Sequence, residues 1–242
     1  MSEWKAKRFW TTATVTEGDA GFGVALDGRS VKTPAKQTLS VPTRALAQAI
    51  AAEWDAQGEE IDPRDMPFTR TANAAIDKVA LQHAEVAELL AAYGDSDLLC
   101  YRADAPEELV ARQGVAWDPM LDWAADHLGV RLEVHTGVMH AAQPDASLKR
   151  LSDLTHAFSA FELAAFHDLV SLTGSLILGF AATRDVASAE TIWLLSRVDE
   201  LWQAEHWGED EEAKTVEALK EKAFLHANEV FDLLGDRMPE RD

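Results

Sequence analysis

The chain has 242 residues, 47% of them hydrophobic, enough to build a packed core and too many for a disordered polypeptide. A formal charge of −20 repels phosphate, which argues against nucleic acid and anionic membrane surfaces as partners. Cys100 is the only cysteine, so no internal disulfide forms and a reducing compartment suits the chain.

The start, Met1 to Lys7, is polar and reads as neither a secretory signal nor an Arg-rich transit peptide. Phe9 to Thr16 is β-branched and aromatic and predicts a strand. Gly18, Asp19 and Gly21 mark a turn before a second strand, Phe22 to Leu26. Asp27-Gly28 is a hairpin signal leading into Ser30 to Thr33. Leu39 to Val41 adds a short strand before Pro42.

Helical spacing dominates after Pro42. Thr43 is a candidate N-cap, and Leu46, Ile50 and Trp54 recur every four residues on one face. Gly58 ends that helix, and Asp62 to Pro67 is a connector. Further helices are predicted at Ala72 to Lys78, at Glu85 to Tyr93, from Pro106 toward Gln113, and at Trp117 to Leu128 with a stop at Gly129. Val130 to Val134 reads as a short strand. Ser147 to Phe158, Ala160 to Ala182, Ser188 to Trp207 and Glu209 to Leu234 then read as a helical bundle. The longest apolar stretch, Leu172 to Ala182, is interrupted by Gly174, Ser175 and Gly179 and is too short to span a bilayer. The expected fold is α+β. A β-rich N-terminal domain occupies residues 1–42 and a mainly helical domain residues 43–242.

Motifs of chemistry are sparse. A dinuclear carboxylate site needs paired Glu-x-x-His motifs, and the chain offers one Asp-x-x-His, Asp153 with His156. There is no Walker loop, no dinucleotide-binding glycine turn and no nucleophile elbow. Cys100 between Leu99 and Tyr101 reads as a buried thiol. No metal or other cofactor is expected. An enzyme with a site assembled from distant residues remains a rival reading, as does a stable structural subunit.

In the helix at Ser188 to Trp207, Leu195, Asp199 and Trp202 share a face, with Glu200 beside them on the polar flank. Asp199 is either a boundary residue in an ion pair, with Arg197 or Arg184 as partner, or a partner-binding group. Trp202 and Trp207, close to the acidic run Glu209 to Glu212, are the tryptophans best placed for an interface. The acidic run itself reads first as a helix N-terminus.

Several short segments occur in order along nearly the whole chain. They are Arg8-Phe9-Trp10, Leu26-Asp27-Gly28-Arg29 with Val31-Lys32-Thr33-Pro34, and Glu53-Trp54-Asp55-Ala56-Gln57. Met66-Pro67 with Thr69, Asp97-Leu98-Leu99 with Tyr101-Arg102, Trp117-Asp118-Pro119, and Ser196-Arg197 through Gln203 to Trp207-Gly208 follow. In this combination the chain resembles the F-type ATP synthase assembly chaperones that capture the alpha subunit of the soluble catalytic head. The resemblance implies a chaperone without ATP hydrolysis that shields a sticky surface of free alpha subunit. It places the family's functional acidic position on Asp199, or on its neighbour Glu200. Partner binding is therefore expected at Asp199, Glu200, Trp202 and Trp207, with Arg29, Lys32 and Trp54 holding the fold. Eukaryotic members work in the mitochondrial matrix; this chain is expected in a bacterial cytoplasm.

Overall fold

The computed structural model describes residues 7–208 and 210–235. The start read above for targeting, apart from Lys7, and Glu209 of the acidic run lie outside them. The chain forms two compact units. One holds residues 7–83 with Ser159–Ala164 and residues 230–235; the other holds Ala84–Phe158 and, among the described residues, Ala165–Glu229.

In the first unit, β1 (Ala13–Gly18) and β2 (Gly21–Leu26) form an antiparallel hairpin in register from Ala13↔Leu26 to Gly18↔Gly21. β2 then turns into β3 (Arg29–Ser30) through Asp27 and Gly28, whose φ angles are 46° and 81°. Positive φ at both central residues is the turn whose twist matches paired strands, which is why Asp-Gly signals it. β4 (Ser40–Val41) pairs with the start of β2. The strand predicted from Phe9 begins only at Ala13. The Asp27 carboxylate accepts from the Thr11 and Thr12 amides at 2.9 and 3.0 Å, so that stretch bonds to a side chain instead of a ladder.

Helix α1 (Arg44–Asp55) covers the sheet with Leu46, Ala47, Ile50 and Ala51 buried, and Thr43 caps it by accepting from the Leu46 amide. Helix α2 (Pro67–Asp77) starts earlier than the predicted Ala72. Pro67 fits a first turn, whose N–H has no intrahelical partner. Glu53 then supplies the acceptor for the following amides: Phe68 N at 2.6 Å, Thr69 N at 2.8 Å and Thr69 Oγ1 at 2.7 Å. Because α1 and α2 pack together and α1 lies on the strands, the compact unit extends past residue 42.

The Glu53–Gln57 segment is thus structural throughout. Trp54 packs edge-on against Trp10 with ring centroids 5.2 Å apart. Asp55 accepts from Ala13 N at 2.7 Å, and Gln57 accepts from Asp62 N at 2.7 Å. Arg8 donates to the carbonyls of Trp10, Asp55 and Gln57. Asp77 holds the loop after β3 through Thr33 Oγ1 and Ala35 N. Arg29 and Lys32 are exposed and do not pack in the core.

The second unit is helical. After α3 (His83–Ala91) come 3-10 turns at Ala92–Ser96 and Leu98–Cys100, then β5 (Tyr101–Arg102), paired in parallel with β6 (His135–Thr136). Helix α4 (Glu107–Trp123) joins the two helices predicted around Gly114 and runs on through Pro119. Its buried Gln113 and Trp117, one turn apart, are each tied to later elements, and that anchoring overrides the local breakers. A π turn at Ala124–Leu128 ends at Gly129, with φ 68°. Val130 to Val134 is not a strand: Ser147 exchanges hydrogen bonds with Arg131, and Gln143 does so with Glu133.

Then come α5 (Asp145–His156), α6 (Ala160–Thr173), α7 (Leu176–Ala182), α8 (Ala189–Leu195), α9 (Val198–Trp207) and α10 (Glu211–Leu234). Two predicted long helices are each broken. Gly174, at φ 70°, stops α6 and Ser175 caps α7; Ser196-Arg197 separates α8 from α9. Gly179 does permit close approach, since a Cβ there would sit 2.7 Å from Val170 Cγ2. Among the described residues no helix is long and apolar enough to cross a membrane.

Asp97 ties this unit together. Fully buried, it accepts from Leu99 N at 3.1 Å and from Ile177 N, far along the chain, at 3.1 Å. Burial pushes its carboxyl up to about 6, from an ordinary value of 3.8, against the pull of these donors. Between those values the folded form holds a proton that the unfolded form has released. Stability from this group is therefore greatest below pH 3.8 and is lost as pH rises through about 6. In urea titrations, the wild-type advantage over Asp97→Asn should shrink across that window and level off above it. Separately, Glu53→Ala should cost about 2–3 kcal/mol, since it strands buried donors of α2; chemical denaturation would measure the loss.

Candidate functional site

The four sequence-predicted residues all lie on α9, but they do not form one surface. Glu200 and Trp207 face outward, and Trp207 is 77% exposed. Asp199 is half-buried and turned toward α4, where its Oδ1 accepts from Gln113 Nε2 at 2.7 Å. Trp202 is half-buried and stacks on His206, with centroids 3.9 Å apart.

Neither arginine named as a partner for Asp199 takes that role among the hydrogen bonds of α9. Arg197 instead pairs with Glu200 at 2.9 Å, donates to Leu172 O, and lies over the Trp193 ring at 4.8 Å. The face predicted to join Leu195 to Asp199 is interrupted by the break at Ser196. Leu195 serves in another way: its carbonyl accepts from Trp117 Nε1 at 2.7 Å.

Behind α9 stands a polar network. Gln113, 2% exposed, accepts from Ala103 N through Oε1 while its amide holds Asp199. Arg102 donates to Leu99 O and Asp118 Oδ1 and stacks over Trp117. The segments around Arg102, Trp117 and Arg197 thus converge on the base of α8 and α9. Gln113 was missed from the sequence, although a polar residue one turn before a buried Trp is a signal that it faces inward.

In front of α9 lies a groove of about 580 Å³, floored by Leu201, Ala204 and Trp207 of α9 and by Ala213 and Val216 of α10. Arg197, Glu200, Glu217 and Lys220 edge it. Asp210 caps α10 by accepting from Glu212 N at 2.8 Å and Ala213 N at 3.2 Å, as expected for the acidic run. The first turns of α10 are mostly exposed, with Val216 46% and Leu219 65% accessible. The arrangement is an aromatic, charge-rimmed groove. It brings together no nucleophile, base and acid.

Among the described residues no group of three or more His, Cys, Asp or Glu could hold a metal ion. Asp153 pairs with Lys149 at 2.8 Å, and His156 turns back to Ser152 O. Cys100 is fully buried, and burial pushes its thiol up to about 12.

The family model for the ATP12 chaperone protein matches residues 7–125. Atp12 from Paracoccus denitrificans is 48% identical and superposes with a TM-score of 0.93, over 96% of this chain and 100% of that one. This chain belongs to the ATP12 chaperone family. A solved Agrobacterium tumefaciens protein whose proposed role is that of a chaperone is 43% identical, with a TM-score of 0.89 over 94% of this chain and 86% of that one. The mitochondrial protein atp12 of Schizosaccharomyces pombe is 27% identical over 231 residues, 89% of this chain and 79% of its own length. The family model stops within the π turn after α4, so α9 and α10 lie beyond it, while the structural matches cover nearly the whole ATP12 fold.

Gln113→Ala should remove the tie between the β5 end and α9 and lower stability by about 1–3 kcal/mol, because Ala103 N and Asp199 each lose a partner. Urea denaturation would measure that loss, with the change in Trp fluorescence reporting on α9.

Proposed function

We propose that this ATP12-family chain captures the free alpha subunit of F-type ATP synthase and delivers it for assembly of the catalytic head, in a bacterial cytoplasm and without chemistry of its own. The observation that carries the reading is Trp207, a large aromatic ring 77% exposed that lines the groove between α9 and α10. Tryptophan is among the residues enriched at interface hot spots, and this one lies beside other apolar residues in a charge-rimmed groove.

The surrounding charge fits the task. A chain with net charge −20 repels its own copies and attracts a client with basic patches. Free subunits expose apolar interfaces that aggregate before the right neighbour arrives. A cover of modest area yields to the larger interface of the finished assembly. Within it, Trp207 and Glu200 touch the client directly, Trp202 stiffens the end of α9, and Asp199 sets the helix against α4.

Two kinds of variant separate contact from support. Trp207→Ala and Glu200→Lys should each weaken capture of purified alpha subunit, about tenfold for the tryptophan, with melting nearly unchanged. Asp199→Lys should weaken capture and also lower the melting temperature, because it breaks the Gln113 bond. Titration calorimetry and light scattering of the isolated alpha subunit would check both. Undiminished capture by Trp207→Ala would remove the tryptophan from the interface.

A further inference from the structure

Across Leu201, which lines both, α9 borders a second groove of about 480 Å³ that none of the other residues discussed so far line apart from Leu195. Its walls are Ala111, Val115 and Ala116 of α4 and Leu194, Val198 and Leu201 of α8 and α9. Val115 is 81% exposed and Leu194 52%. Both sit in a run where neighbouring residues are buried, Trp117 on one side and Ile192 and Trp193 on the other. At this exposure Val115 gains little from the fold and Leu194 only part of what full burial would give.

Charge around the groove is one-sided. On α4, Glu108 and Asp122 lie seven residues either side of Val115, about 10 Å along the helix axis. Glu190 sits one turn before Leu194 and Glu205 one turn after Leu201, while Asp118, one turn beyond Val115, is taken by Arg102 at 2.7 Å. Among the described lining residues the cation is Arg112, and Glu205 takes it through two bonds of 2.6 and 2.9 Å. That bond also holds the Glu205 carboxyl below its ordinary value. All the lining residues belong to helices, so the groove offers no strand edge for an extended peptide to pair with.

We infer that this groove seats an amphipathic helix of the client, apolar on one face and flanked by lysine or arginine. A helix lays apolar side chains between two helices at i, i+3 and i+4 without needing backbone partners. Cations a few turns apart on it meet Glu108 and Asp122 at the two ends. A second copy of this chain is a poor occupant, since it would bring its own acidic rim and its share of a −20 charge. The inference rests on the capture reading above and names the client feature recognised on this flank.

The test uses the full chain and two synthetic helical peptides with the same leucine stripe, one flanked by lysines and one by glutamates, alongside purified alpha subunit. Wild type should bind the lysine peptide at least about tenfold more tightly than the glutamate peptide. The double variant Val115→Glu with Leu194→Glu should lose that binding and weaken alpha-subunit capture by about tenfold or more, with an unchanged circular dichroism spectrum. Glu108→Lys with Glu190→Lys, which leaves the floor intact, should reverse the peptide preference.

Equal binding of the two peptides, or peptide binding untouched by the double variant, overturns the inference. Full capture of the alpha subunit by the double variant overturns it as well, and leaves the Trp207 surface as the client site. If wild type ignores the alpha subunit yet discriminates the peptides as expected, the capture reading fails and the groove's ligand chemistry stands. A dimer in analytical ultracentrifugation that the double variant dissolves makes the groove a self-contact and overturns the proposal.

Discussion

Backbone groups that leave helices and strands still need partners once they are buried, and here a small set of side chains meets that need. Glu53 receives the first amides of α2, Asp97 joins the turn at Leu99 to the start of α7, and Gln143 and Ser147 stand in for a missing strand partner. Gln113 does the same between Ala103 and Asp199. Each of these side chains ties one segment of the chain to another. Burial makes the arrangement demanding. The same desolvation that raises the Glu53 and Asp97 carboxyls makes an unpaired donor opposite them expensive.

That constraint also explains the short segments spread along the chain. Asp27, Glu53, Asp55, Gln57, Asp97, Arg102 and Trp117 look like scattered polar or aromatic residues in the sequence. In the structure each one closes a loop or caps a helix. A chaperone without a reaction centre has no catalytic cluster for a motif search to find. The recognisable residues here are those that hold loops and helix ends in place.

Local chemistry was legible in advance. Thr43, Asp27-Gly28 and Gly129 act as their residue types dictate, because caps and turns are decided within a few positions. Helix breaks were not. Gly114 and Pro119 fail to interrupt α4, whereas Gly174 and Ser196 do interrupt their helices, and the difference lies in what Gln113, Trp117, Asp97 and Arg197 reach across the fold. The candidate site shows the same division. Trp207 as an exposed ring could be read from its place at a helix end, but the partner of Asp199 lies 86 residues away in sequence. Spacing along one helix grouped Asp199 and Trp202 with Trp207, whereas in the fold Asp199 turns toward Gln113 of α4 and Trp207 is left exposed.

The lone sulfhydryl, Cys100, has one more implication. It sits fully enclosed beside Asp97, at the junction that the 3-10 turn shares with α7, and its thiolate is strongly disfavoured while folded. Alkylating reagents reach it only when that junction opens. The native chain therefore carries its own single-site tag for local opening. The rate of labelling, with and without a bound client, would measure how far capture tightens the helical unit, with no engineered probe.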